Sequence, residues 1–215
     1  MIPLLRSRLR SILCIGAHAD DIEIGCGGTI LKLLENDPRL IIRWVVLSGD
    51  GMRATEARAS AAQFLGEGNE HRVEIANFSD TSFPYGEAAA LKSFFRKLSA
   101  SCNPDVVFTH CRNDLHQDHR FVAELTWQHF RDHIVLEYEI PKYEGDLGHP
   151  SVFVPLPPDM ADAKIDSIVS AFASQHDKPW FDAETFRSVL RLRGIECRSP
   201  TGFAEAFHCA KLVLT

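Results

Sequence analysis

The pattern that most restricts this chain is an alternation. From residue 11 to residue 140, short apolar runs take turns with longer amphipathic stretches. SILCIGA (11–17), LIIRWVVLS (40–48), HRVEIANF (71–78), PDVVFTH (104–110) and IVLEYEI (134–140) read as strands. IGCGGTILKLLEN (24–36), RATEARASAAQFLG (53–66), GEAAALKSFFRKLSA (86–100) and DHRFVAELTWQHFRD (118–132) read as the helices between them. Parallel neighbours need a crossover, most often a helix. The repeating β-α order therefore predicts a doubly wound, mostly parallel sheet with helices on both faces.

After Pro141 the pattern changes. PKYEGDLGHPSVFVPLPPD is rich in Pro and Gly, and the proline within VFVPL confines any strand there to an edge. Two helical stretches (about 161–174 and 183–193) and a strand-like KLVLT follow. The expectation is a single domain over 1–215, with an α/β core at about 11–140. The remainder, about 141–215, is expected as an irregular C-terminal appendage packed on that core.

Charge and cysteines narrow the partners and the compartment. A formal charge of -6 over 215 residues gives no bulk attraction for nucleic acid or an anionic membrane. Arg6, Arg8 and Arg10 interrupt any apolar leader, and no apolar run reaches membrane-spanning length. The six cysteines are scattered without a C-x-x-C pair, which reads as reduced thiols in a cytoplasmic protein. The oligomeric state is left open, a homo-oligomer included.

Two polar clusters stand where such a sheet binds ligands. The first is AHADD (17–21), directly after the first strand. One aspartate there would serve as a helix cap; a histidine with two adjacent acids is costly to hold near a buried strand end without a further purpose. The second is THCRNDLHQDHR (109–120), after the fourth strand. In a 3-2-1-4-5 order, strands one and four flank the reversal point where such sheets bind ligands. The clusters would then meet in one crevice, with His18, Asp21 and His119 available as three N/O ligands, a number that leaves a catalytic zinc one open position.

With these residues the sequence resembles the PIG-L/LmbE-like zinc-dependent de-N-acetylases. The family's H-P-x-D-D or H-P-D-D box is matched by AHADD, with Ala19 where proline is usual, and its H-x-D-H box by HQDH (116–119). RATEARASAAQFLG resembles the family's R-x-x-E helix, and HPSVFVPL, ASQ (173–175) and AEAF (204–207) occur in the family's order. The resemblance implies a Rossmann-like fold and hydrolysis of an acetamide on an N-acetylglucosamine-type sugar or glycoconjugate. It implies that His18, Asp21 and His119 bind Zn2+, although Fe2+, Co2+ or Mn2+ suit such ligands nearly as well. Asp20 would be the general base on the attacking water, and a protonated His116, oriented by Asp118, would stabilise the oxyanion.

Other polar residues have weaker claims. Arg53 could hold a substrate hydroxyl or phosphate, or else pair with Glu56 at its helix start. Asp80 could meet sugar hydroxyls, and His149 could reach the pocket mouth. Cys111, beside His110, is read as packing; His71, His129, His133, His176 and His208 have no constellation around them. A rival reading takes GCGG (25–28) as a phosphate-binding helix start in a nucleotide-binding module. Ile30 stands where G-x-G-x-x-G needs glycine, so the glycines read better as close-packing positions. An inactive metal-binding protein, or an amide or ester hydrolase with a non-sugar substrate, completes the alternatives.

Overall fold

The structure is a computed structural model describing residues 8–66 and 70–213. Arg6 and the last two residues of KLVLT therefore lie outside the described residues. In chain order the elements are β1 (Ser11–Gly16), α1 (Asp21–Asn36), β2 (Ile41–Val46), α2 (Gly51–Leu65), β3 (Arg72–Ile75), α3 (Ala88–Ser101) and β4 (Val106–His110). They continue with α4 (Gln117–His129), β5 (Ile134–Tyr138), β6 (Val152–Leu156), α5 (Pro158–Ala171), a 3-10 turn (Ala173–Gln175), α6 (Ala183–Glu196) and β7 (Phe203–His208).

All the strands join one sheet in the order β3-β2-β1-β4-β5-β7-β6. β1 to β5 are mutually parallel, while β7 runs antiparallel to β5 and to β6. Strand geometry sends successive side chains to opposite faces, and the core follows it. Ile12 and Cys14 of β1 pack under α1, α2, α5 and α6, whereas Leu13 and Ile15 pack under α3 and α4. VFVPL forms the edge strand that its proline demands.

The expected terminal strand KLVLT does not form over its described residues, 211–213. Leu212 and Val213 are exposed, and the late strand is FAEAFH, between β5 and β6. A glutamate in its centre made it a poor candidate for a buried strand. The structure satisfies that charge: Glu205 accepts the N–H groups of Gly28 (2.8 Å) and Thr29 (2.6 Å) and the ammonium of Lys164 (2.6 Å). The Lys164 ammonium also donates to the Ile24 carbonyl at 2.7 Å.

That contact disposes of the phosphate-binding rival. GCGG begins one turn inside α1, not at its N-terminus. A Cβ at Gly25 would collide with the Tyr138 ring, and one at Gly28 would stand 2.5 Å from Leu156 Cδ1. The glycines admit close neighbours from β5 and β6, which is how α1 lies tight on the sheet.

Candidate metal centre

β1 and β4 are neighbours, so their carboxyl ends open side by side at the reversal of strand order. AHADD leaves β1, the polar cluster leaves β4, and the two meet. His18 Nδ1 lies 3.1 Å from His119 Nε2 and 3.5 Å from Asp21 Oδ2, and His119 Nε2 lies 3.5 Å from Asp21 Oδ1. All three residues are buried.

The far side of each imidazole is already committed. His18 Nε2 faces Asp80 Oδ1 at 2.9 Å and Asp118 Oδ2 at 3.3 Å. His119 Nδ1 faces Asp114 Oδ2 at 3.0 Å. Carboxylates accept, so these nitrogens carry the protons, an assignment made from the partners. His18 Nδ1 and His119 Nε2 then present lone pairs toward each other and toward the Asp21 oxygens. With both rings neutral, two ring lone pairs and the Asp21 carboxylate face one point, a donor set that suits a cation. Ligands about 2.0–2.1 Å from a tetrahedral zinc sit roughly 3.3 Å apart, so the observed separations suit such an ion. Ring nitrogens of His18, His116 and His119 also lie within 4.8 Å of one another, as do donor atoms of Asp21, His110 and His119.

The two aspartates of the doublet have different surroundings. Asp20 occupies the N-cap position of α1 but makes no side-chain cap bond, so the capping reading fails for it. Burial, and then the negative charge of Asp21, push its carboxyl up, against the opposing pull of Arg53. Arg53 Nη2 stands 3.5 Å from Asp20 Oδ1. Asp21 accepts the His18 N–H at 2.6 Å. Burial alone would raise Asp21, but His119, His110 and His18 outweigh it and hold the carboxyl well down. For His18, burial lowers the pKa, and its bonds to Asp118, Asp21 and Asp80 carry it above the usual imidazole range. Burial and the neighbouring His110 depress His119 to about 3.

HQDH is arranged differently from expectation. His116 is the N-cap of α4, and its Nδ1 accepts the Asp118 backbone N–H at 3.3 Å. The Asp118 carboxylate turns away from His116 to take the N–H groups of Thr81 (2.7 Å) and Phe83 (3.2 Å) and to face His18. It is thus the backbone of Asp118, not its side chain, that orients His116. Because Nδ1 accepts, the neutral ring carries its proton on Nε2. Burial and nearby His18 lower its pKa, so the geometry favours this neutral donor over the protonated ring expected above.

Arg53 pairs with Asp20 and with Asp80, at 3.2 Å to the latter, rather than with Glu56. Glu56 instead accepts from the Ser174 N–H and hydroxyl, joining the R-x-x-E helix to ASQ. Both Asp80 oxygens are engaged, and the His18 bond helps hold its carboxyl at about 2. His149 is exposed and makes no hydrogen bond to the cluster.

Sequence reasoning missed two members. His110, fully buried at the end of β4, stacks on His119 at 3.9 Å, accepts the Ala17 N–H at 3.0 Å and lies 3.1 Å from Asp21. Asp114 grips His119 and also accepts the His116 N–H at 2.7 Å. Its signal was an acid five residues before His119, in a loop where no periodic spacing marks it.

Residues 13–130 match the family described as GlcNAc-PI de-N-acetylase, PIG-L. The chain is 32% identical over 147 residues to the uncharacterized deacetylase YaiS of Escherichia coli, covering 63% of this chain and 76% of that one. It is 31% identical over 91 residues to the diacetylchitobiose deacetylase of Thermococcus kodakarensis, a match spanning 36% of this chain but only 32% of that relative's length. In fold it is similar to GalB, the 4-carboxy-2-hydroxymuconate hydratase of Pseudomonas putida KT2440, with a TM-score of 0.70 at 18% identity over 96% of this chain and 98% of that one. The family match spans more than half of the chain and includes both polar boxes, and on that ground the protein belongs to the PIG-L de-N-acetylase family.

Proposed function

We propose that this protein is a metal-dependent hydrolase that removes acetyl from an N-acetylglucosamine-type sugar or glycoconjugate, with zinc the first metal to test. The observation that carries the reading is the convergence of His18 Nδ1, His119 Nε2 and the Asp21 carboxylate on one point. Family membership adds the reaction class, and the archaeal relative's name makes N-acetyl sugars the first substrates to try.

A metal held by those three residues supplies Lewis-acid polarisation of the amide and a lowered pKa for the attacking water. Asp20, buried beside the ligands but not among them, takes the proton of that water and returns it to the leaving amine. His116 Nε2–H is the donor available to the charge developing on the carbonyl oxygen. Arg53 and Asp80, partly exposed beside the cluster, are assigned to sugar hydroxyls, while His149 is retained only as a contact farther out. We further read the whole of 1–215 as one working domain. The six unpaired cysteines support a reducing, cytoplasmic setting. Among the described residues no helix is long and apolar enough to cross a membrane.

The test couples metal content to product. Wild type should hold about one zinc per chain and release acetate and free amine in equal amounts from an N-acetyl sugar panel. GalB shows that the same fold also carries a hydratase. A metal-loaded protein that releases neither acetate nor amine from any acetamide would move the reading to another reaction class.

A further inference from the structure

Resting on that metal-centre reading, we infer that Lys142 and Asp146, in the segment between β5 and β6, are positioning residues for the ligand His119, acting through Asp114. The segment lies beyond the region matched by the family, yet it reaches the centre. Lys142 Nζ stands 3.0 Å from Asp114 Oδ2, the same oxygen that holds His119 Nδ1. It also donates to both Asp146 oxygens at 2.6 Å. Asp146 Oδ2 accepts the Leu115 N–H at 2.7 Å, tying the segment to the loop that carries Asp114 and His116.

The three charged side chains are 3–8% exposed. The lysine therefore separates two acids in a place where water screens little, and without it they repel. Asp114 would then keep the His116 N–H and the His119 ring but lose the cation that holds its carboxylate against Asp146's repulsion. An outer carboxylate fixes both the tautomer and the plane of a ligating imidazole, and a loosened one weakens metal binding.

The measurement is the zinc dissociation constant of the full chain, by competition with a chelating dye, alongside thermal midpoints. Lys142→Met should weaken zinc about tenfold, the low end of what outer partners contribute. Asp146→Asn should weaken it in the same direction by less, and it decides the matter if Lys142→Met does not fold. Because Lys142 acts through Asp114, the Lys142→Met/Asp114→Ala pair should bind no more weakly than Asp114→Ala alone. Variants that melt lower but bind zinc like wild type would reduce the cluster to a structural brace and overturn the inference; so would full additivity in the pair. A wild type that binds no divalent metal sinks the metal centre and this inference together, whereas metal-replete wild type with unaffected variants sinks only the inference.

Discussion

In the C-terminal half, Lys164 Nζ is buried between the Glu205 carboxylate and the Ile24 carbonyl. Nearby, Arg193 is spread over Glu139, Glu196 and the Gly148 carbonyl. Each cation there has its acceptors, and each acid its donors. Between β1 and β4 the burial is as deep, but with neutral rings the inner nitrogens of His18 and His119 turn their lone pairs toward each other and toward the Asp21 carboxylate. Buried charge thus does not mark a functional centre by itself. What separates the two regions is the remainder: in the first each charge meets its counter-charge, while in the second two ring nitrogens and a carboxylate are left facing one point.

Replacing a member of each region should break the protein in different ways. The largest effect belongs to His119→Ala, which should abolish zinc binding and lower turnover about a thousandfold or more, since a catalytic metal supplies several kcal/mol. Asp20→Ala should lose about 10²–10⁴ of turnover yet keep its zinc. If Asp20→Ala lost its metal as well, the division of labour within the doublet would be wrong. Lys164→Met should cost about 3–5 kcal/mol of stability, because Glu205 is left buried without its cation. Its folded fraction should bind zinc as before; metal loss without destabilisation would erase the contrast.

Two smaller effects sharpen the boundary. Asp118→Asn weakens the grip on His18 and turns an amide NH2 toward a buried donor, so zinc affinity should fall about 10–100-fold and stability by about 1–3 kcal/mol. On the complete side, burial would raise Glu139, but His208, the Gly148 N–H and Arg193 outweigh it and hold its carboxyl below 4.5. A depressed carboxyl contributes stability above its unfolded pKa and loses it as pH falls through the folded value. Urea midpoints of wild type should therefore decline between about pH 5 and pH 3, and Glu139→Gln should decline less steeply. Equal slopes would remove Glu139 from the acid sensitivity.

The sheet order from β3 to β5 was legible because hydrophobic alternation and crossover rules leave few arrangements for five parallel strands. So was the meeting of His18, Asp21 and His119, which follows from that order and the placement of the two boxes. The partner of Asp118 was not legible. Spacing says that it lies between two histidines; only the fold shows its carboxylate crossing to a third, on β1's loop. Lys142 sits past β5 in a Pro- and Gly-rich stretch with no periodicity, so nothing local ties it to Asp114. β7 escaped because Glu205 looks unfit for a buried strand until Lys164 and the α1 amides are seen around it.

The insertion of β7 between β5 and β6 also has a consequence for how the protein is made. Chains emerge from their N-terminal end, so both polar boxes are synthesised well before residues 203–208. Until those residues arrive, the slot beside β5 stands empty, β6 has no partner in the sheet, and the Lys164 ammonium lacks the carboxylate that joins it to α1. A nascent chain would carry every candidate metal ligand but lack the strand that closes the sheet over α1.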